Sequence, residues 1–303
     1  RKISDITGWT GTSRSMVPAI KGFTFVGQGA NSATAGTGLR VDGTYGAIVE
    51  DCNFVNLQRG AWLVWAMGGK VDRCDSTGCL ISYLATSGAY AAITNGTTSN
   101  SNCHLVTFEQ CRAEVSNTAS VGFVLNCANK ARVQNCAVEG TNGLYGFWVQ
   151  GHDGAGANYV TEQDIKFEGC WTELSSGHLG TVYLTEMWNS KVTLEGCVVP
   201  DTRTGTTPNE MVFFSDNSGL ANQDNEYRFV DMNWRAWHGT TDPWFNNQTR
   251  TPGTKCAWIF ESAAKNPSTV DFIDPSLWEN DPNTSILLRG SSVRRGESFE
   301  TFG

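Results

Sequence analysis

Between residues 106 and 200 one alternation of apolar and polar positions is written four times: VTFEQCRAE (106–114), ARVQNCAVE (131–139), IKFEGCWTE (165–173) and VTLEGCVVP (192–200). Each copy reads apolar–x–apolar, then two polar or small residues, then Cys–x–apolar. That is the pattern of two short period-two strands joined by a bend. Aligning the whole chain on the cysteine gives nine copies, centred on Phe23, Cys52, Cys74, Cys111, Cys136, Cys170, Cys197, Met232 and Pro275. An apolar residue stands three places before each centre, from Ile20 and Val49 through to Phe229 and Phe272. The interval between copies varies from 22 to 43 residues, so the unit tolerates insertions at its corners.

A further short strand precedes most copies: LRVDG (39–43), GFVLN (122–126), GFWVQ (146–150), TVYLT (181–185), MVFFS (211–215) and AWIFE (257–261). Three strands per unit with variable corners predict an all-β solenoid, a right-handed, single-stranded parallel β-helix of about nine coils. The predicted division is an entry or cap segment over 1–17, the β-helix over 18–290 and a tail over 291–303. Stacked coils lie ~4.8 Å apart, so each column of the alignment becomes a ladder of like residues along the axis. The cysteine is small and apolar enough to fill an inward corner. Parallel side-chain vectors on such a ladder suit disulfides poorly, and reduced stacked thiols suit folding in a reducing compartment.

The chain has 303 residues, 33 of them Gly, with a formal net charge of −8, which argues against nucleic acid as a partner. No apolar run approaches the ~20 residues of a membrane span, and RKISDITGWTG at the N-terminus contains no signal-peptide core. No nucleophile elbow, Walker loop, dinucleotide fingerprint, HExxH or EF-hand loop is present. The four histidines are scattered, so neither a metal nor a cofactor is expected.

Candidate chemistry lies on the outer columns. Three places after the cysteine stand Glu114, Glu139 and Glu173 on consecutive coils. Glycoside hydrolysis needs a carboxyl and a carboxylate, roughly 5 Å apart for retention and 6.5–9.5 Å for inversion. Glu139 with Glu173 suits the first distance and Glu114 with Glu173 is close to the second; the alternative is a solvated surface column. A second acidic column two places before the cysteine (Glu50, Asp72, Glu109, Gln134, Glu168, Glu195) reads as surface without chemistry. On the preceding strand Val124, Trp148, Tyr183 and Phe213 form an outward column beside Asn126, Gln150, Thr185 and Ser215. Stacked aromatics flanked by amides and hydroxyls suit sugar rings, and they equally suit a subunit interface. Glu186 and Asp216 form a rival acid pair one coil apart. Of the long insertions, 151–164 brings His152, Asp153 and Tyr159, and the tryptophans Trp234, Trp237 and Trp244 read as a cap or oligomer contact.

The phrases VTFEQCRAE, ARVQNCAVEG and VTLEGCVV, each preceded by a strand such as YGFWVQ, resemble the coil signature of the pectate-lyase-like superfamily. Within it the likeness is to the tailspikes of tailed bacteriophages and covers about residues 18–290. The resemblance implies a homotrimeric virion-tail protein, assembled in the host cytosol, that binds and often depolymerises a bacterial surface polysaccharide, a capsule or O-antigen. Such proteins are commonly endoglycosidases with Asp/Glu pairs; others are lyases, and a binding-only adhesin is a further reading. It also implies attachment to other virion tail proteins through an N-terminal anchor that these residues do not show. The paired aspartates of the superfamily's polygalacturonases have no counterpart beside His178, so that site is not carried over.

Overall fold

The computed structural model describes residues 19–29, 36–86, 103–141, 143–151, 163–174, 180–185, 187, 189–198, 210–215, 225–232, 245–247, 256–261 and 284–289. Among them there are strands and no α-helix, and the strands form ten-, eight-, six- and two-stranded sheets in which every pairing is parallel. The chain visits the three large sheets in turn. Thr107–Glu109 lies in the ten-stranded first sheet, Arg112–Val115 in the six-stranded second and Val121–Asn126 in the eight-stranded third. Each then pairs with its counterpart in the next unit: Phe108 with Val133, Ala113 with Val138, Phe123 with Phe147. Parallel strands stacked in sequence order on three faces are consistent with a parallel β-helix.

The bend inside the repeated phrase is a left-handed corner. Gly22, Asp51, Arg73, Gln110, Asn135, Gly169, Gly196 and Asp231 each stand immediately before a repeat centre, with φ between 47° and 71°. Gly, Asn and Asp tolerate that region, which explains six of the eight corners, as in EGC, QNC and EDC; Arg73 and Gln110 adopt it without that tolerance. The hydrogen-bond ladder runs through the corner unbroken: the Gln110 amide donates to the Gln134 carbonyl at 3.0 Å and the Gly169 amide to the Glu195 carbonyl at 2.9 Å.

Sulfur completes the corner. The amide of Cys111 points at the Cys136 sulfur at 3.4 Å, and the amide of Cys52 at the Cys74 sulfur at the same distance. Each thiol in turn donates to a carbonyl of the preceding coil three places before that coil's own centre: Cys111 to Val71 at 3.4 Å, Cys136 to Phe108 at 3.5 Å, Cys170 to Val133 at 3.2 Å. A cysteine therefore fills the corner volume and both accepts from and donates to the preceding coil with a soft, weakly polar atom. The nine described cysteines are buried and free. Burial pushes the Cys103 thiol up to about 12, and the neighbouring Cys111 thiol together with burial pushes Cys74 up as well.

Inside the stack the aromatic rings pile coil upon coil, Phe25 on Phe54 at 5.3 Å, Tyr83 on Phe123 at 4.8 Å and Phe123 on Phe147 at 5.5 Å. The Tyr83 hydroxyl crosses the interior to donate to the Cys74 carbonyl at 2.6 Å. The third sheet enters through a kink at small residues. Gly122 has no Cα partner in either neighbouring strand, and a Cβ there would stand 2.6 Å from Val138 and 2.7 Å from the Gly146 carbonyl. Gly60 is equally enclosed, with the Ser82 carbonyl 2.4 Å from a Cβ. Two consecutive positions there, Gly122 and Phe123, thus face the interior.

One strand falls elsewhere than its pattern suggested. AWIFE, expected as a third-sheet strand, belongs to Cys256–Glu261 of the first sheet, with Trp258 in register with Tyr227 and Phe260 with Phe229. Its alternation suits either sheet, and the absent cysteine phrase removed the landmark. The predicted centre at Pro275 lies outside the described residues, as do the two predicted terminal segments.

Replacing the corner sulfur tests this account. Cys136→Ala removes the acceptor of the buried Cys111 amide and opens a small void, and is expected to lower unfolding free energy by about 1–3 kcal/mol in urea titrations. Gly36→Ala, where a Cβ meets nothing within 4 Å, serves as the neutral control.

Candidate active site on the second sheet

Strand register places the predicted glutamates in one column. Thr77, Glu114, Glu139 and Glu173 are successive Cα partners on the second sheet. Ala113, Val138 and Thr172, which alternate with them, are buried, so the glutamates face outward. All three are half-buried. The Thr77 hydroxyl donates to Glu114 at 3.4 Å, Arg112 stands 3.6 Å from Glu139, and among the described residues Glu173 forms no ion pair. Arg112 also holds Asp75 at 3.2 Å, and that hydrogen bond raises its guanidinium above the ordinary value, with Glu139 and Glu114 adding to the effect. Arg112 is the only cation at a described outward position of this sheet, against four carboxylates.

The second acidic column is a different object. Glu50, Asp72, Glu109, Gln134, Glu168 and Glu195 are in register on the first sheet as expected. Two places before Asp72, Gln134 and Glu168 on the same outward face run Lys70, Arg132 and Lys166, and Arg228 continues their column one coil past Thr193. Lys70 reaches Glu109 at 2.7 Å, Lys166 reaches Glu195 at 2.8 Å and Glu168 at 3.3 Å, and Arg73 binds Glu50, Asp51 and Asp72 together. The Gln134 amide, then Lys166, holds the Glu168 carboxyl below its ordinary value. The interleaved cations are legible two residues upstream of the column in KVD, RVQ and KFE, whereas Glu50, Glu109 and Glu195 follow Ile48, Thr107 and Thr193. The first sheet thus wears a neutralised lattice, whereas the second wears an acidic ladder with a single arginine.

The aromatic strip on the third sheet is in the expected register, Val124 with Trp148 and Trp148 with Tyr183, but its expected exposure needs correction. Val124 and Tyr183 are buried in a second apolar cluster outside the core, with Trp62, Leu84 and Tyr145. The Tyr183 ring is stacked on Tyr145 at 4.3 Å, so its face is occupied. Trp148 is half-buried, and its indole N–H donates to Thr185 at 3.0 Å. Asn126 is buried and donates to Gln150 at 2.9 Å, so this amide pair bridges two coils. The outward positions of this sheet are apolar enough to make a cluster of their own, which alternation alone does not reveal. This strip and the glutamate ladder also lie on different sheets, so the described residues do not bring them onto one face.

Glu186, Asp216, Asp153, His152 and the Phe213 side chain lie outside the described residues. No group of three potential metal ligands occurs among the described residues. One residue escaped the sequence reading. Trp171, directly after the cysteine in EGCWTE, is outward on the second sheet, 40% exposed, and two places from Glu173 on the same strand. Its signal was a large aromatic at a position that other coils fill with Asp75, Arg112 and Ala137.

Comparison of the chain with family models, with curated proteins and with solved structures finds no match.

The first-sheet lattice carries a pH prediction. Glu168 is depressed in the folded state, so its contribution is present above the unfolded carboxylate value and is lost as pH falls through the folded one. Lys166→Met is therefore expected to cost under ~1 kcal/mol at neutral pH and progressively less in acid, read as the gap between urea midpoints. An equal gap at both pH values would remove the ion pair from the account.

Proposed function

We propose that this chain is a right-handed parallel β-helix of about nine coils that binds and endolytically hydrolyses a bacterial surface polysaccharide, in the manner of a phage tailspike depolymerase. The observation that carries the hydrolase reading is the ladder of Glu114, Glu139 and Glu173 beside exposed Trp171. Neighbouring carboxyl groups at the ~4.8 Å coil spacing match the roughly 5 Å separation of retaining glycosidases.

On this reading Glu139, ion-paired to Arg112, is the anionic nucleophile, and Glu173, free of any cation among the described residues, is the proton donor. Glu173 gives its proton to the glycosidic oxygen as that bond breaks, while Glu139 forms an ester with the sugar's anomeric carbon. Water then cleaves the ester, returning its proton to Glu173. The Trp171 indole supplies an apolar face for a sugar ring adjoining the cleaved bond. Glu114, one coil further, extends the acidic surface toward Thr77. The homotrimer, the virion-tail location and the attachment to other tail proteins belong to the same proposal and rest on the coil phrase alone.

The test is a depolymerisation assay over a panel of capsules and O-antigens, scoring reducing ends and unsaturated ends together. Glu173→Gln and Glu139→Gln are expected to lower the rate of reducing-end release by about 10²–10⁴-fold on the active glycan, and Trp171→Ala to raise KM more than it lowers kcat. Unsaturated ends would replace hydrolysis with elimination. Binding without either product would make the chain an adhesin and the glutamates surface residues.

A further inference from the structure

Away from the glutamate ladder, two arginines converge on one indole at the start of the third sheet. Arg40 and Trp62 are direct Cα partners, and Arg59 lies three places before Trp62 on the same strand. The guanidinium carbons stand 4.6 Å and 4.7 Å from the centre of the Trp62 ring. The indole itself is buried and fixed by its N–H donation to Thr86 at 2.8 Å, so it presents the guanidinia from a rigid base.

The charges on this platform are not balanced. Arg40 is ion-paired to Asp42 at 2.7 Å. Among the described residues Arg59 has no carboxylate partner: its Nη1 donates to Gln58 at 3.3 Å, and its buried Nε finds no acceptor. Among the described lysine and arginine side chains, only Arg59 and the exposed Lys130 lack a carboxylate partner. In a chain of formal charge −8, a second guanidinium on the same indole, without a counter-ion among the described residues, is an unexplained local excess of positive charge.

We infer that Arg59, seated with Arg40 on Trp62, is a binding site for an oxyanion, and that the oxyanion is the carboxylate of an acidic sugar in the polysaccharide substrate. The first half follows from the chemistry of a stacked, planar guanidinium, which receives carboxylate or phosphate oxygens in a bidentate fork. The second half rests on the proposed glycan function. It also narrows it: a uniformly anionic polymer would be repelled by the carboxylates of the second sheet, so the glycan places neutral sugars at the cleaved bond and acidic ones at a distance from it.

Calorimetric titration of the full chain tests this with four probes: hyaluronan tetrasaccharide, in which uronate and neutral sugars alternate, oligogalacturonate, a neutral dextran oligosaccharide and inorganic phosphate. The alternating tetrasaccharide is expected to bind best. Arg59→Gln should weaken it about tenfold, as loss of a charge-assisted hydrogen bond does. Arg59→Lys should fall between, and keeps the test open if Arg59→Gln does not fold. Lys130→Gln, which removes the other cation without a carboxylate partner among the described residues, should change nothing. Equal affinity in wild type and Arg59→Gln would overturn the site, and so would indifference to the charge of the probe. Phosphate binding as tightly as the tetrasaccharide would make the site a receptor for a free anion and overturn the acidic-sugar assignment. None of these outcomes depends on reducing-end release, so failure here and failure of the hydrolase reading are separable.

Discussion

A solenoid must turn three times per coil without stranding the amides that face its interior, and the turn from the first sheet to the second is where this chain solves that problem most visibly. The left-handed residue keeps its amide in the ladder, as from Gln110 to Gln134, but the next amide, that of Cys111, points inward where no strand partner exists. The sulfur of Cys136 receives it, and the Cys136 thiol then donates to Phe108 on the coil below. An orphaned buried amide costs about 1–3 kcal/mol, and repetition along the axis multiplies that cost. The cysteine in the sixth place of the phrase is therefore a corner acceptor as well as a corner filler. Because each corner fixes which residue sits above which, it also sets the register of every strand that follows.

That register writes columns on the outside as strictly as on the inside, and the meaning of a column depends on its neighbour. Two acidic ladders run along this molecule one bend apart. On the first sheet Lys70, Lys166 and Arg228 interleave with the acids and bring opposite charges within about 3 Å, which makes a neutral surface. On the second sheet Arg112 is the one cation at the described outward positions, among Asp75, Glu114, Glu139 and Glu173, and Trp171 stands exposed beside them. The same geometry thus gives a passive lattice on one face and a concentration of carboxylates with an apolar platform on the next. The guanidinium of Arg59 on the third sheet, with no carboxylate partner among the described residues, completes a surface whose three faces differ in charge while sharing one backbone.

Much of this was legible in the residues. Cysteine alignment alone placed Glu114, Glu139 and Glu173 in register, because the corner permits no slippage between phrase and column. Reading failed where the phrase lapses or where alternation breaks. Residues 257–261 carry no cysteine, so their pattern points to the third sheet although they pair with residues 226–230 on the first. Tyr183 points outward as its parity requires, yet it is buried, because outward and exposed are different properties on a face whose neighbours Tyr145, Leu84 and Trp62 are apolar too. The kink at Gly122 turns two consecutive residues inward, which a period of two cannot express. Trp171 stands out poorly in the sequence because it occupies a column whose other members are charged or small.

The central claim is the corner-locked register that stacks Glu114 and Glu173 two coils apart on one outward column. It is tested most directly by nitroxide labels at Glu114→Cys and Glu173→Cys in a Cys256→Ser background, the nine described native thiols being buried from the reagent, read by dipolar broadening of the electron-spin resonance spectrum. Two coils correspond to about 10 Å between Cα atoms, so the account predicts strong broadening in the double-labelled protein, absent from either single label. A double-labelled spectrum equal to the sum of the single ones would place the two residues on different faces and contradict the account.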